Sequence, residues 1–195
     1  MVLKPVDRDV GYKSEITIHP ATIEDTKEIS EVLARSFYKF QGLTSLVYPL
    51  MQFTIREDLR YRLRSHSPLY CCLVAKLRPQ QNLDLDLENT VVATAEIALR
   101  SGSFWSSDRP FPYICNLAVA RDYRRLGIGS QLLSKCEQIA LDWGYHETRL
   151  HVLDSNNSAK QLYCNYGYQI SRVEANWGMW LDPTPRLLLK KIIQT

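Results

Sequence analysis

Hydrophobic and polar residues along the chain follow two periods, one of about two residues and one of about three and a half. Alternating or continuous apolar runs predict seven strands, at 15–19, 70–77, 91–99, 113–119, 148–153, 168–174 and 186–193. Helical spacing of apolar residues predicts four helices, at 22–40, 44–64, 127–143 and 156–166. Because strands alternate with helices over much of the chain, we expect a mixed α/β sheet with helices on both faces.

Residues at the ends of these runs support the division. Thr22 is the predicted N-cap of the first helix, with Asp25 at its third position, and Gly144 is expected to end the third helix. Polar residues 1–14 are predicted to form a flexible arm ahead of one domain at 15–195. With 195 residues and 45% hydrophobic content, the chain can bury a core of its own.

Composition narrows the classes of partner. A net charge of +3 without a long Lys/Arg block argues against nucleic acid. Five cysteines, with neither a Cys-x-x-Cys pair nor a Cys/His metal spacing, predict free thiols in a reducing compartment and no metal. No apolar run approaches transmembrane length, and the first thirty residues lack the apolar segment of a secretory signal, so we expect no membrane partner.

The segment from Arg124 to Gly129 lies between a predicted strand and a predicted helix. Gly127 and Gly129 carry no Cβ, so backbone N–H groups of the loop and of the first helical turn can converge on an anion. Arg121, Arg124 and Arg125 add positive charge beside them. The segment therefore predicts a binding site for phosphate or diphosphate.

Two common phosphate loops do not fit this segment. A nucleoside-triphosphate loop ends in Gly-Lys-Ser/Thr, whereas Gly129 is followed by Ser130 and Gln131. A dinucleotide loop needs a third glycine, and Leu132 stands at that position.

With Arg124 at its head, the segment resembles the Gln/Arg-x-x-Gly-x-Gly/Ala loop of the GNAT superfamily of acetyl-CoA-dependent N-acetyltransferases. A second block, 150–168, resembles the superfamily's Asn-x-x-Ala-x-x-Leu-Tyr-x-x-x-Gly-Phe signature, with Tyr163 at the tyrosine and Tyr168 in place of the phenylalanine. The two blocks follow each other in the family's order and spacing. The resemblance covers most of residues 15–195.

The resemblance implies a mixed, mostly antiparallel sheet that splays into a V beside the central strand, where acetyl-CoA inserts its pantetheine and thioester. The backbone of Leu117 and Val119 then binds the pantetheine, with one N–H polarising the acetyl carbonyl. The glycine loop holds the diphosphate, and Asn156 binds near the pantetheine. The residues expected to bind acetyl-CoA are Leu117, Ala118, Val119, Arg124, Arg125, Leu126, Gly127, Ile128, Gly129, Ser130 and Asn156.

By the same resemblance, Tyr163 is the acid that protonates the leaving thiolate. Tyr113 on the central strand and His151 on the next strand resemble the water-bridged Tyr/His pair of eukaryotic protein N-terminal acetyltransferases, and they are the predicted base. Glu96 and Asp154 are alternative bases. A covalent acetyl-cysteine route is disfavoured because no cysteine aligns with an acid–base partner.

The pKa of the acceptor amine separates the acceptor classes. At pH 7.5, neutralising an α-amine with a pKa of about 7.7 to 8 costs under about 1 kcal/mol, whereas a lysine near 10.4 costs about 4 kcal/mol. A histidine with a pKa near 6.5 suits the first amine better. We therefore expect direct transfer in a ternary complex to protein N-terminal amines, with lysine side chains as the second acceptor class.

Two other functions stay open from the sequence. One is acetylation of a small amine, such as a polyamine, an amino acid or an aminoglycoside, and the other is a non-catalytic acyl-CoA-binding module. The intact loop and Tyr163 argue against the module. The expected state is a monomer or weak dimer in the cytoplasm, with the plastid stroma as the alternative.

The loops at 101–112 and 176–185 are expected to flank the acceptor entrance. Their aromatic residues would either line a peptide or cover the core, and nearby acids would attract an amine. The residues concerned are Phe104, Trp105, Trp177 and Trp180, with the acids Asp108, Glu174 and Asp182.

Overall fold

A computed structural model describes residues 15–37, 47–78, 90–101, 109–175 and 184–194 of the chain. Some of the predictions lie outside these residues, including those for the arm and for the aromatic loop residues. The parts outside are the arm at 1–14, the predicted helical ends at 38–40 and 44–46, the connection at 79–89, Phe104, Trp105, Asp108, Trp177, Trp180 and Asp182.

The described residues form seven strands and four α-helices, in the order that the hydrophobic pattern predicts. The strands are β1 (Glu15–Pro20), β2 (Tyr70–Arg78), β3 (Val91–Arg100), β4 (Phe111–Val119), β5 (Glu147–Leu153), β6 (Gln169–Glu174) and β7 (Arg186–Ile192). The helices are α1 (Thr26–Phe37), α2 (Tyr48–Arg64), α3 (Ile128–Asp142) and α4 (Asn157–Asn165).

One sheet contains all seven strands, in the order β1-β2-β3-β4-β5-β7-β6. Neighbouring strands are antiparallel except for β4 and β5, which are parallel. The predicted fold class, a single mixed and mostly antiparallel α/β sheet with helices on both faces, is confirmed.

The sheet buries a separate apolar cluster on each face. Against one face, α1 and α2 place Ile29, Leu33 and Leu59, which pack with Val74 and Ala118 of the sheet. Helices cover both faces of the central strands, so side chains on both faces are removed from water. These strands are therefore nearly continuous apolar runs.

The opposite face is covered by α3. Leu132, Leu133 and Cys136 are fully buried there, together with Leu73 and Val92 from the sheet. Tyr163 of α4 belongs to the same cluster. This face is the one that the glycine loop and α4 adjoin.

The start of α1 corrects the predicted capping. The helix begins at Thr26 rather than near Thr22, and the bonds before it run from Asp25 to Thr22 and from Thr26 to Ile23, each at 3.3 Å. The Asp25 carboxylate accepts hydrogen bonds from the Thr22 N–H and hydroxyl. Asp25 also pairs with Lys76 of β2 at 2.6 Å, so it ties the turn to the sheet instead of lying inside a helix.

Left-handed residues explain the shifted limits of α3. Gly127 was predicted as the first helical residue, but its φ of 77° makes it the N-cap, and the helix begins at Ile128. At the other end Gly144 has φ of 83°, and the helix closes at Asp142, one residue earlier than predicted.

β4 and β5 pair over only a short distance. The registered partners are Tyr113 with Arg149 and Ile114 with Leu150. Beyond them the two strands have no registered pairs, although β4 continues to Val119. Among the described strands, the sheet therefore opens between the parallel pair, at the position where the resemblance implies a V.

Candidate active site

The segment that links β4 to α3 folds as a loop suited to an anion. Arg125 and Gly127 have left-handed backbones, with φ of 67° and 77°. Such residues turn successive backbone N–H groups toward one side, and the first N–H groups of a helix have no partner within it. Because residues 124–127 are exposed, these N–H groups and the arginine side chains are open to a ligand.

The two glycines of the loop have different roles. Gly127 has open space around it and is required for its left-handed φ. Gly129 lies against α4, where an added Cβ would be 3.0 Å from Cδ2 of Leu162. Gly127 therefore shapes the turn, and Gly129 allows α3 to approach α4.

Arg124 fastens the loop to the end of β4, because its Nε donates to the carbonyl oxygen of Val119 at 2.9 Å. Three other predicted binding residues, Ala118, Ile128 and Gly129, are buried. Their contribution to a ligand would come from the backbone and not from side chains.

A hydrogen-bonded chain of three side chains lies where β4 and β5 separate. The Tyr113 hydroxyl is 2.9 Å from Nδ1 of His151, and Nε2 of His151 is 3.1 Å from Oε2 of Glu174. A carboxylate accepts but does not donate, so the neutral ring carries its proton on Nε2 and accepts the Tyr113 hydroxyl at Nδ1. The predicted pair of Tyr113 and His151 is thus in direct contact in the fold.

Burial and two arginines set the electrostatics of this chain. Burial lowers the pKa of His151 below its ordinary value, the Arg186 and Arg100 cations lower it further, and Glu174 opposes them. Burial raises the pKa of Tyr113, against the effect of Arg100, whose guanidinium lies 3.8 Å from the centre of the tyrosine ring. Near neutral pH the phenol is protonated and the imidazole is a neutral proton acceptor.

Tyr163 lies on α4 with only 7% of its surface exposed. Burial raises the pKa of its hydroxyl to about 12, so the group is a neutral donor at working pH. Its ring packs edge-on against Tyr168, with centroids 6.1 Å apart. Among the described residues, its hydroxyl has no hydrogen-bond partner, which leaves the O–H available to a ligand.

Asn156 is the N-cap of α4, and its side-chain oxygen accepts the N–H of Ala159 at 3.2 Å. The cap fixes the side chain at the exposed start of the helix that carries Tyr163. Its predicted contact with the pantetheine would therefore use the amide nitrogen rather than the capping oxygen.

The two alternative bases are engaged elsewhere. Glu96 is fully buried and accepts hydrogen bonds from Arg62, Tyr70 and Asn116. Asp154 is exposed and paired with Lys160 at 2.8 Å. Neither arrangement presents a free carboxylate, which favours the Tyr113–His151 pair.

Two cysteines, Cys115 on β4 and Cys136 on α3, are poor nucleophiles. Burial raises the pKa of Cys115 to about 12 and that of Cys136 well above its ordinary value. A thiol, not a thiolate, is then present at neutral pH. Neither of these two thiols is therefore activated as the nucleophile of an acetyl-cysteine intermediate.

Sequence reasoning did not predict Glu174, Arg100 or Arg186 as parts of this cluster. Glu174 was expected only to attract an amine. In the sheet, only β7 separates the strand of Glu174 from that of His151, and the Glu174 side chain reaches the histidine across it. No local motif predicts this strand order. Glu174 and Arg186 have opposite charges and face each other in the adjacent strands β6 and β7. Such a pair can serve as a sequence signal for the alignment of these two strands.

Within the described residues, no group of three or more His, Cys, Asp or Glu side chains is arranged to hold a metal ion. Among the helices that the structure describes, none has the length and apolar content needed to cross a membrane.

The parallel strands β4 and β5 open beside a loop with exposed N–H groups, and a half-buried imidazole lies where they separate. This arrangement is suited to group transfer from an anionic donor. The model of the acetyltransferase (GNAT) family matches residues 32–168. The chain therefore belongs to the acetyltransferase (GNAT) family, as the two sequence blocks predict.

Relatives of the chain act on different amines, according to their names. It is 24% identical over 175 residues to the chloroplastic GCN5-related N-acetyltransferase 10 of Arabidopsis thaliana, covering 86% of this chain and 68% of the relative. It is 31% identical to thialysine N-epsilon-acetyltransferase of Bos taurus, over 62% of this chain and 68% of that one. For N-alpha-acetyltransferase 50 of Danio rerio the identity is 32%, over 43% of this chain and half of the relative.

Solved structures share the fold at low sequence identity. The NatC complex bound to Gag peptide and CoA includes a chain that aligns with a TM-score of 0.68 and 17% identity, covering 92% of this chain and 99% of that one. At this identity the likeness concerns the fold.

Proposed function

We propose that the protein transfers the acetyl group of acetyl-CoA to protein N-terminal α-amines, by direct attack in a ternary complex. The observation that carries the choice of amine is the chain from Tyr113 through His151 to Glu174. Its histidine is a weak base, because burial lowers the pKa of His151 from its ordinary value. The pKa of such a base is closer to that of an α-amine than to that of a lysine side chain.

The opening between β4 and β5 would fit the pantetheine and thioester of acetyl-CoA, and the loop at 124–130 would fit its diphosphate. Loop N–H groups and the exposed Arg124 and Arg125 would bind the diphosphate. The strand segment 117–119, which has no registered partner on β5, would bind the pantetheine and direct an N–H at the thioester carbonyl.

Proton removal falls to Tyr113 and His151. The protonated acceptor amine would give its proton through a bridging water to the Tyr113 hydroxyl as that hydroxyl passes its own proton to Nδ1 of His151. The Glu174 carboxylate accepts a hydrogen bond from Nε2–H of His151 and stabilises the imidazolium that forms. The neutral amine nitrogen then bonds to the thioester carbonyl carbon, and the carbonyl oxygen becomes an oxyanion.

Collapse of this intermediate breaks the carbon–sulfur bond and releases the CoA thiolate, for which Tyr163 is the predicted donor. Full proton transfer from a phenol of pKa about 12 to a thiolate whose thiol has a pKa near 8.5 would be uphill by about 5 kcal/mol. We therefore assign Tyr163 a hydrogen bond that stabilises the departing sulfur. The attacking nitrogen is positively charged once it has bonded to the carbonyl carbon, and the proton that it loses as the amide forms neutralises the thiolate.

A second acceptor class, the ε-amine, is supported by the bovine relative, which is named for N-epsilon acetylation. The zebrafish relative, named for N-alpha acetylation, supports the first class. As for compartment, the chloroplastic plant relative supports the plastid stroma, which is the alternative to the cytoplasm.

A peptide assay with acetyl-CoA tests the acceptor class. One peptide set has a free α-amine and no lysine, and the matched set has a blocked N-terminus and one lysine. Mass spectrometry should find α-acetylation at least about tenfold faster at pH 7.5, since the two amines differ by about 3 kcal/mol in the cost of neutralisation. Faster ε-acetylation would overturn the choice of amine, and acetylation of neither set would favour a small-molecule acceptor.

A further inference from the structure

A buried carboxylate on β3 joins three other elements of the fold. Glu96 has no solvent exposure. Its Oε2 accepts hydrogen bonds from Nη1 of Arg62 on α2, at 2.7 Å, and from the hydroxyl of Tyr70 on β2, at 2.8 Å. Its Oε1 accepts from Nδ2 of Asn116 on β4, at 2.7 Å. Glu96 therefore links the outer helix α2 to the central strand.

Asn116 lies at an irregular point of that central strand. The register of β3 against β4 shifts between Thr94 and Glu96, so that β4 has two residues where β3 has one. Asn116 has φ of 52° there. A bulge of this kind bends its strand and increases its twist, and asparagine is among the few residues that accept a left-handed backbone.

The bulge lies between the paired and the open parts of β4. The registered pairs with β5 are those of Tyr113 and Ile114, which precede it. The segment 117–119, which follows it, is the one predicted to bind the pantetheine. The direction in which this segment presents its N–H groups therefore depends on the geometry at Asn116.

The contacts around Asn116 hold that geometry in place. A left-handed L-residue persists only where its surroundings determine it, and the hydrogen bond to Glu96 is such a contact. Glu96 in turn is held by Arg62 and Tyr70, and Arg62 is itself held by Asp58 at 2.6 Å. A buried carboxylate with three donors strongly prefers this one orientation.

We infer that Glu96 is a positioning residue for acetyl-CoA: by holding Asn116 it fixes the bulge, and with it the N–H groups of segment 117–119. The inference rests on the proposed function. The inference gives the Glu96 carboxylate a role in binding acetyl-CoA rather than in removing a proton from the acceptor amine.

Calorimetric titration of CoA into the full chain and its variants tests this assignment. Glu96→Gln turns one accepting oxygen into a donor, and Asn116→Gly removes the donor amide while accepting the left-handed φ, so each should weaken CoA binding about tenfold or more. The double variant Glu96→Gln/Asn116→Asp reverses the partners, with the amide at 96 donating to a carboxylate at 116. It should recover most of the lost affinity, which would assign the loss to the contact between positions 96 and 116.

Lys191→Met is the matched control, because it breaks another partly buried ion pair, that of Lys191 with Glu137 at 2.8 Å. It should lower the melting temperature and leave CoA affinity unchanged. Should Glu96→Gln fail to fold, Asn116→Gly carries the test, since glycine accepts the left-handed φ and lacks only the tether.

The outcomes separate the two proposals. Wild-type protein that does not bind CoA overturns the proposed function and the inference together. Wild-type protein that binds CoA, with folded Asn116 variants that bind it equally well, overturns the inference alone. Weakened binding in the single variants without recovery in the double variant would also contradict it, because the partner contact would not be the cause.

Discussion

The two ends of β4 carry two different kinds of site. After its last residue comes the glycine loop at 124–130, which is built from neighbouring residues and offers mainly backbone N–H groups. Near its start Tyr113 joins His151 and Glu174, side chains from three separate strands. The comparison teaches that the proposed donor half is encoded locally, whereas the acceptor half depends on strand order and packing.

The largest expected effect tests whether Tyr163 acts on the donor's sulfur. Tyr163→Phe keeps the ring and its contact with Tyr168 but removes the hydroxyl. We expect kcat to fall at least about a hundredfold, with the affinity for CoA unchanged, because the O–H contributes only as the thiolate forms. An unaltered kcat would remove Tyr163 from the mechanism.

His151→Ala should have the next largest effect and should be confined to the acceptor half. Without the proton acceptor, kcat for an α-amine peptide should fall about a hundredfold or somewhat less, and the acidic limb of the pH–rate profile should vanish. CoA binding, measured in parallel, should not change. A surviving acidic limb would assign the base to another residue.

The contrast between local and distant contacts also explains how much of the fold could be predicted from the sequence. The strands, the helices on both faces and the loop are visible because hydrophobic period and glycine position are local properties, and most element limits agree to within a few residues. The start of α1 was predicted too early, because the residues before Thr26 form i to i+3 turns and the first i to i+4 bond runs from Ile29 to Asp25. The pairing of Asp25 with Lys76, 51 positions away, was not predicted. The buried role of Glu96 and the contact of Glu174 with His151 likewise depend on distant partners.

Two glycines with the same backbone strain test the donor half. Gly127 and Gly144 have φ of 77° and 83°, and both have open space where a Cβ would lie. Alanine at either position should destabilise the protein by about 1 to 2 kcal/mol. Only Gly127→Ala should also weaken CoA binding, by about five- to tenfold, since only Gly127 belongs to the loop. Equal CoA affinities in the two variants would contradict the predicted diphosphate site.

The smallest expected effects are opposite shifts of the acidic limb. His151 must be neutral to accept a proton, so kcat falls as the pH drops through its pKa. Glu174→Gln removes a charge that raises this pKa and should move the limb to lower pH, whereas Arg186→Met removes a charge that lowers it and should move the limb to higher pH. Each shift should be about one pH unit or less, with kcat at pH 8.5 nearly unchanged. Shifts in the same direction would contradict the assigned electrostatics.

A crystal structure of the protein with bound CoA tests the central claim most directly. We expect the diphosphate against the N–H groups of residues 124–130, and the pantetheine between β4 and β5 beside segment 117–119, with its sulfur near the Tyr163 hydroxyl. A diphosphate bound elsewhere, or a closed junction between β4 and β5, would contradict the account.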